Sequence, residues 1–226
     1  MKPLYGHPLL AYSVVAALNS SKISRVFVST DSHEYAKIAM AYGGEAPFLR
    51  PPEISQDHSR DVDFLLHALT WWQQNHIAPP DFLVFLRPTT PLRDPLLIDQ
   101  AIEKIMVNHH ATSLCSGFEL PESPVKNFKL YEDGTFHGFM GDAYLALPRQ
   151  ECPKAYVWDG YVDILRPKQI IDNPEDIYGP ARLAMLTPPG VEIDTLEEFE
   201  FIEFLLKKKD HVLLPLLEKA KNQYEQ

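Results

Sequence analysis

The stretch FLVFLRPTTPLRDP, residues 82–95, decides the fold class. Residues 82–86 are apolar throughout, which is typical of a strand whose two faces are both covered in a sheet. Asp94 and Pro95 then mark a helix start, because a capping carboxylate is followed by proline at the first helical position. Apolar residues continue at helical spacing as far as Ile105. A buried strand that leads directly into an amphipathic helix predicts an α/β protein.

The same alternation extends to both sides of this stretch. The apolar spacing predicts further helices over residues 8–18, 35–42, 61–75 and 212–224. β-branched and aromatic runs predict further strands over residues 25–29, 45–49, 111–117 and 161–165. A capping box at Thr195 and Glu198 opens one more helix. This order implies a mostly parallel sheet with helices on both faces, built by right-handed crossovers.

One region departs from this pattern. Over about residues 119–160 the periodicity weakens while proline, glycine and aromatic residues increase. We predict a small β-rich insertion there, within a single domain that spans residues 1–226.

Bulk properties narrow the class of partner. The formal net charge of -10 at pH 7 is a poor match for nucleic acid or an anionic membrane surface. No apolar run is long enough to span a bilayer, and the first residues lack the pattern of a signal peptide. The chain has two cysteines, Cys115 and Cys152. We therefore expect a cytoplasmic protein with reduced thiols.

Polar residues follow three of the predicted strands. Residues 29–31, which end at Asp31, follow the first strand, Arg50 follows the second, and residues 87–93 follow the third. In an open α/β sheet, ligands bind beyond the carboxyl ends of the strands. Hydroxyl and guanidinium groups suit phosphates, sugars and base edges. Each segment alone favours the interpretation as ordinary turn residues, whereas the three together favour a binding site.

Two further groups of polar residues leave two interpretations open. Glu192 and Asp194 are two residues apart, so in an extended segment both carboxylates point to one side, an arrangement that attracts Mg²⁺. The same acids are also favoured ahead of a helix N-terminus. Lys126 and the pair Arg149–Gln150 lie in the insertion, where they either hold an acidic ligand or are solvated surface residues.

The order of these segments resembles the acylneuraminate cytidylyltransferase (CMP-sialic acid synthetase) family over nearly the whole chain. The residues that carry the resemblance are KPL at 2–4, GHPLLAYS at 6–13, VSTD at 28–31, FLRP at 48–51, Asp57, HAL at 67–69, RPTTPLR at 87–93, RQ at 149–150, DG at 159–160 and IDT at 193–195.

The resemblance implies a Rossmann-like nucleotidyltransferase fold and an activity. CMP is transferred from CTP to the anomeric hydroxyl of a nine-carbon 2-keto sugar acid, and pyrophosphate is released. Mg²⁺ offsets the charge of the phosphates, and the insertion forms the contact of a homodimer. Two alternatives are a cytidylyltransferase for an eight-carbon keto sugar acid and a non-catalytic binding or dimerisation module.

The resemblance also implies roles for particular residues. The nucleotide side is expected at Asp31, Arg50, Asp57 and Ser59. The sugar side is expected at Arg87, Thr89, Thr90, Lys126, Arg149 and Gln150. Glu192 and Asp194 match the pair that binds the metal and is central to catalysis.

The chain departs from the family pattern in two ways. In the family, a Gly-rich, basic loop surrounds the triphosphate and precedes the KPL segment. The present sequence starts after that loop. We expect either that the true start of the protein lies upstream or that CTP turnover is lost. Arg87 stands where the family usually has Gln, Glu192 where it has Asp, and Asp159 and Asp163 where it has Asn and Tyr. The substitutions at positions 87, 159 and 163 bear on the choice of sugar, whereas that at position 192 is mild.

Overall fold

The computed structural model of the chain describes residues 3–208 and 210–224. Lys2, which belongs to the first of the family motifs, lies outside these residues. The helices are α1 Leu9–Leu18, α2 His33–Ala41, α3 Asp61–Gln74, α4 Pro95–Met106, α5 Pro167–Asp172, α6 Leu196–Lys208 and α7 Leu213–Tyr224. The strands are β1 Leu83–Phe85, β2 Ser113–Glu119, β3 Phe128–Leu130, β4 Phe136–Gly138, β5 Tyr156–Leu165 and β6 Arg182–Leu186.

The main sheet has four strands in the order β1-β5-β2-β6. β2 and β6 are parallel, and β5 is antiparallel to both of its neighbours, so β1, β2 and β6 all run in one direction. Ile164 of β5 lies opposite Val84 on one side and Leu114 on the other. The predicted α/β fold is therefore confirmed, with a mixed sheet.

Helices cover both faces of the sheet, as predicted. The larger core packs α1, α4, α6 and α7 against one face and includes Tyr12, Ile98 and Ile202, all fully buried. The smaller core packs α3 and α5 against the other face through residues such as Leu65 and Ile170. Among the described residues, no helix is long and apolar enough to cross a membrane.

The two helix N-caps predicted from the sequence, ahead of α4 and of α6, are confirmed. The Asp94 carboxylate accepts a hydrogen bond from the Leu96 amide at 2.9 Å, and Pro95 begins α4. The Glu198 carboxylate accepts from the Thr195 amide at 2.8 Å, while the Glu198 amide donates to the Thr195 hydroxyl at 3.2 Å. This reciprocal pair is the capping box expected ahead of α6.

Three strand predictions need correction. Residues 25–29 and 45–49 are extended segments joined by one parallel bridge, Phe27 to Glu45, and are not strands of the main sheet. The strand predicted over residues 161–165 begins earlier, at Tyr156, as β5. β5 runs antiparallel because the chain returns to the sheet through the insertion, without the crossover helix that a parallel neighbour needs.

The region predicted as an insertion contains a separate two-stranded antiparallel sheet, β3 with β4. The Phe128 and Phe136 rings lie 4.6 Å apart across this hairpin. The assignment of residues 1–226 to one domain, with residues 119–160 as its dimerisation region, stays a prediction.

Candidate functional site

A cavity of about 1140 Å³ lies beside β1, between the extended segment of residues 25–29 and the sheet. The residues that line it include Thr30, Asp31, Arg50, Arg87 and Thr89. These polar residues follow the three predicted strand segments. We call this group of residues the rim. The predicted convergence of strand-end residues is therefore observed at one place.

Arg50 is fixed at the rim by its backbone and its side chain. Its amide donates to the Thr30 carbonyl at 2.7 Å, and its Nε donates to the Ser55 hydroxyl at 2.9 Å. Its guanidinium lies 5.7 Å from the centre of the Phe64 ring on α3. Arg50 is half-buried and lines the same cavity as Asp31, so it is a positioned cation at the nucleotide side that the resemblance implies.

Arg87 joins α3 to β5 across the rim. Its Nη2 donates to the Asp61 carboxylate at 2.8 Å, and its Nη1 donates to the Asp163 carboxylate at 2.6 Å. Burial disfavours the charged guanidinium, but its hydrogen bonds and the charge of Asp163 raise the pKa of Arg87 above its usual value. Arg87 therefore has two carboxylate partners already and is poorly suited to pair with the carboxylate of a sugar acid.

Asp163 is the centre of a buried polar cluster. Its carboxylate is fully buried and also accepts hydrogen bonds from Trp158 Nε1 at 2.8 Å and from the Tyr178 hydroxyl at 3.4 Å. Burial raises the pKa of Asp163, although the hydrogen bond and charge of Arg87 act in the opposite direction. Burial and the neighbouring Asp163 also raise the pKa of the Cys115 thiol, to about 12, so this thiol is not a nucleophile at neutral pH.

Arg93 is a buried residue whose structural role the sequence analysis missed. It has no exposed surface and donates to the Tyr161 carbonyl at 2.5 Å, to the Ser13 hydroxyl at 3.0 Å and to the carbonyls of Arg87 and Gly160 at 2.8 and 3.1 Å. Burial lowers the pKa of Arg93, and the four acceptors hold its planar side chain in one orientation. Arg93 thereby ties α1 and the rim to β5.

Asp159 forms a second polar cluster that the sequence analysis did not foresee. Its carboxylate accepts from the hydroxyls of Ser116 and Thr187, each at 2.5 Å, and from the Tyr161 amide at 3.0 Å. The only sequence signal was that Asp159 and Asp163 depart from the family pattern. Ser116, Thr187 and Arg87 are each more than 25 residues from the aspartate that they contact, so spacing alone gives no indication of these pairs.

The segment of Glu192 and Asp194 lies against the rim. The Thr89 hydroxyl donates to the Glu192 carboxylate at 3.0 Å, and the Ile193 amide donates to the Thr89 carbonyl at 2.8 Å. Glu192 and Asp194 are both exposed, while Ile193 between them packs against the larger core. Both carboxylates are thus open to solvent, and the expectation from the i, i+2 spacing that they point to one spot stays a prediction.

The remaining predicted site residues lie elsewhere. Asp57 and Ser59 are in the turn of residues 56–59, which does not line the cavity, and Thr90 is 3 % exposed with no hydrogen-bond partner for its hydroxyl among the described residues. Lys126 and Arg149 line a second cavity of about 450 Å³ in the insertion, and Gln150 is exposed next to Arg149. Within the described residues, no group of three or more His, Cys, Asp or Glu side chains is placed to hold a metal ion.

Comparison with known proteins places this geometry in context. A family model described as cytidylyltransferase matches residues 1–130. The CMP-N,N'-diacetyllegionaminic acid synthase of Legionella pneumophila is 29% identical over 213 residues, which are 93% of this chain and 90% of that protein. The pseudaminic acid cytidylyltransferase of Campylobacter jejuni is 29% identical over 205 residues, 89% of this chain and 86% of that protein.

A solved structure shares the fold. A CMP:2-keto-3-deoxy-manno-octonic acid synthetase complexed with CTP superposes with a TM-score of 0.66 at 14% identity, over 92% of this chain and 90% of that one.

Proposed function

The chain belongs to the cytidylyltransferase family, and from that premise we propose that it transfers CMP from CTP to a sialic-acid-like, nine-carbon 2-keto sugar acid. The relatives named for legionaminic and pseudaminic acid support this class of sugar. The observation that carries the proposal is that Arg50, Thr89 and Glu192, from three separate segments, all lie at one rim.

In the proposed reaction, the anomeric hydroxyl oxygen of the sugar bonds to the α-phosphorus of CTP. The bond from that phosphorus to the bridging oxygen breaks, pyrophosphate leaves with the electron pair, and the hydroxyl proton is released. The chain contributes positioning and charge, which are the main sources of catalysis in such transfers. Arg50 and Asp31 are proposed to hold the cytidine, with Asp57 and Ser59 on the adjoining turn.

We propose Glu192 and Asp194 as the ligands of Mg²⁺. The donor set fits this ion, since it consists of exposed carboxylate oxygens beside the Thr89 hydroxyl. Mg²⁺ favours such sites because it keeps several waters and bridges substrate phosphates, so two protein carboxylates suffice. When bound, the ion offsets negative charge on the phosphates. Thr89 orients Glu192 through its hydrogen bond.

The carboxylate of the sugar acid is proposed to pair with Lys126 and Arg149. Both are exposed cations at the second cavity, whereas Arg87 is occupied by Asp61 and Asp163. Gln150, next to Arg149, supplies an amide for sugar hydroxyls. Thr89 lines the rim and is proposed to contact the sugar, with the buried Thr90 next to it in the chain. The free thiols of Cys115 and Cys152 support the proposed cytosolic location.

We also propose that the chain forms a homodimer through the β3–β4 hairpin. The hairpin and the turn after it expose Phe128, Leu130, Phe136, Phe139 and Met140, each at least 50 % exposed. Such a patch marks an interaction surface. In sedimentation experiments the protein is expected to be dimeric, and the double variant Leu130→Ser/Phe139→Ser monomeric. Val107→Ser, which removes an apolar group that is 74 % exposed at the end of α4, is the matched control. A monomeric parent protein would contradict this assignment.

Pyrophosphate release tests the sugar assignment. The protein is incubated with CTP, Mg²⁺ and, in separate reactions, N-acetylneuraminic, legionaminic and pseudaminic acid and the eight-carbon 2-keto-3-deoxy-manno-octonic acid. Release is expected with at least one nine-carbon acid and not with the eight-carbon acid. The reverse pattern would support the eight-carbon alternative.

The metal assignment is tested by Asp194→Asn. We expect at least about a 100-fold loss of kcat, since removal of one electrostatic group at such a site has an effect of this size. Glu197→Gln, an exposed acid in the first turn of α6, is the matched control and should retain activity. Equal activity of the two variants would refute the metal assignment.

A further inference from the structure

A bulge interrupts the pairing of β2 with β5. The register shifts between Cys115 and Gly117, so that Ser116 alone lies opposite four residues of β5, residues 159–162. We call these four residues the bulge. Gly160 within it has a φ of +61°, a backbone conformation that favours glycine. Bulges re-aim side chains and are common next to active sites.

Asp159 holds this bulge closed. Its Oδ1 accepts hydrogen bonds from the Ser116 hydroxyl at 2.5 Å and from the Tyr161 amide at 3.0 Å. The Ser116 hydroxyl in turn accepts from the Val162 amide at 2.8 Å, so its single proton is directed to Asp159. Ser116 is 2 % exposed, and the connection is therefore shielded from water.

The other carboxylate oxygen of Asp159 binds residues 187–195, the irregular connection from β6 to α6. Oδ2 accepts from the buried Thr187 hydroxyl at 2.5 Å, and the Thr187 amide donates to the Gly117 carbonyl at 2.9 Å. The next two residues, 188 and 189, are prolines, whose fixed φ angles stiffen the start of the connection. The anchor at Thr187 therefore constrains where the rest of this segment lies.

The far end of the connection meets the turn of residues 87–93. The Ile193 amide donates to the Thr89 carbonyl at 2.8 Å, and the Thr89 hydroxyl donates to the Glu192 carboxylate at 3.0 Å. The turn is itself attached to the bulge, because Arg93 donates to the carbonyls of its two central residues at 3.1 and 2.5 Å. Both partners in the contact between Thr89 and Glu192 are thus tied to the same bulge.

We propose that Asp159 is a positioning residue, which sets Glu192 and Asp194 against Thr89 by closing the bulge and binding Thr187. The inference rests on the proposed function, in which Glu192 and Asp194 are the ligands of Mg²⁺. Three protein donors already bind the Asp159 carboxylate, so it acts through the connection and not by contact with the substrate.

The hydrogen bonds distinguish positioning from a need for negative charge. In Asp159→Asn, the side-chain oxygen keeps the Ser116 hydroxyl and the Tyr161 amide as donors. The new amide nitrogen donates to the Thr187 hydroxyl oxygen. The Thr187 proton then turns to the Gly117 carbonyl, which lies 3.3 Å from that hydroxyl. We therefore expect Asp159→Asn to keep the anchor and Asp159→Ala to lose it.

Residue-resolved amide hydrogen exchange tests the anchor in the absence of substrate and metal. Thr187→Val removes the hydroxyl that binds Asp159 and leaves the contacts within the bulge in place. We expect exchange at the Ile193 amide to become at least ~10-fold faster, the effect of losing one hydrogen bond to a charged group. The Arg50 amide, bonded to the Thr30 carbonyl at 2.7 Å, should change little and is the internal reference.

Thr112→Val is the matched control. The Thr112 hydroxyl donates to the Tyr178 carbonyl at 2.7 Å and accepts from the Ala181 amide at 3.1 Å, so it too fixes β6, but at the opposite end of the strand. Exchange at Ile193 should be unchanged both in this control and in Asp159→Asn, and faster in Asp159→Ala.

The kinetics of pyrophosphate release separate positioning from a purely structural role. In Thr187→Val the Mg²⁺ concentration that gives half the maximal rate should rise about 10-fold, as for other residues that orient metal ligands. The KM for the sugar acid should stay the same, and Asp159→Asn should behave as the parent protein. A lower Tm with an unchanged Mg²⁺ dependence would overturn the positioning role.

The exchange experiment decides the anchor whether or not the protein is active. Equal exchange at Ile193 in Thr187→Val and Thr112→Val would overturn it, and so would equal acceleration at Ile193 and Arg50. Because Thr187→Val lies outside the bulge, it carries the test even if Asp159→Ala does not fold. Absence of turnover with every nine-carbon acid, together with fast exchange at Ile193 in Thr187→Val, would refute the proposed function and leave the anchor standing.

Discussion

Replacement of Arg87 with Met should strongly destabilise the fold, because it leaves the Asp163 carboxylate buried without its cation. Breaking a buried ion pair by removing one partner costs about 3–5 kcal/mol. Trp158 Nε1 and the Tyr178 hydroxyl still donate to Asp163, so we expect the lower end, about 3 kcal/mol. For a chain of this length, that loss corresponds to a fall in Tm of roughly 6–12 °C. The Arg87 guanidinium also lies 4.3 Å from the centre of the Phe85 ring, so the variant loses this contact together with the ion pairs.

The pH dependence of this loss identifies its cause. Burial holds the pKa of Asp163 above its unfolded value, so the native state binds the proton more readily and the free energy of unfolding falls as the pH rises. Without Arg87 the pKa of Asp163 rises further. The difference in stability between the parent protein and the Arg87→Met variant should therefore shrink as the pH is lowered from neutral toward the raised pKa of Asp163.

Urea unfolding, followed by circular dichroism at neutral pH and at about pH 5, measures both effects. Arg60→Met is the matched control, because the ion pair of Arg60 with Glu175 is exposed and 3.2 Å long, and its loss should cost about 1 kcal/mol or less. An Arg87→Met variant no less stable than the Arg60→Met variant, or a loss independent of pH, would refute the account of the Asp163 cluster.

Three other predictions follow from contacts around the rim and at α6. Arg93→Leu should destabilise the protein by more than about 3 kcal/mol in urea unfolding, because two buried carbonyls and one part-buried carbonyl lose their donor. A loss below about 1 kcal/mol would contradict this. Thr195→Ala should cost about 1 kcal/mol by removing the cap of α6, and Thr195→Ser should restore it; equal stability of the two variants would count against the capping box. Thr89→Val should weaken the activation of the enzyme by Mg²⁺, because it removes the hydrogen bond that orients the exposed Glu192 carboxylate. Tm should fall by no more than a few degrees. An unchanged Mg²⁺ dependence of activity would show that Thr89 does not act on the metal site.

The sequence allowed prediction of those features whose causes are local. Three such features are the cap at Asp94, the capping box at Thr195 and Glu198, and the apolar run at β1. Each depends on residues within a few positions of one another, so it can be predicted without knowledge of the tertiary structure. The rim was predicted because the carboxyl ends of strands collect ligands in any open α/β sheet.

The features that were missed depend on distant partners. The direction of β5 is set by the path of the chain through the insertion. The periodicity of apolar residues carries no information about that path. Residues 25–29 have the composition of a strand, but among the described residues they form a single bridge, Phe27 to Glu45, and no ladder extends along them. Arg87 and Arg93 differ in role although they are six residues apart, because β5 supplies Asp163 to one and backbone carbonyls to the other.

The fate of CTP, followed by mass spectrometry, tests the central claim most directly. The protein is incubated with CTP, Mg²⁺ and the nine-carbon acids, with Asp194→Asn as the control. The account predicts a CMP-sugar ester and pyrophosphate in equal amounts, dependent on the sugar and absent in the control. Intact CTP with every acid, or hydrolysis to CMP without an ester, would contradict it.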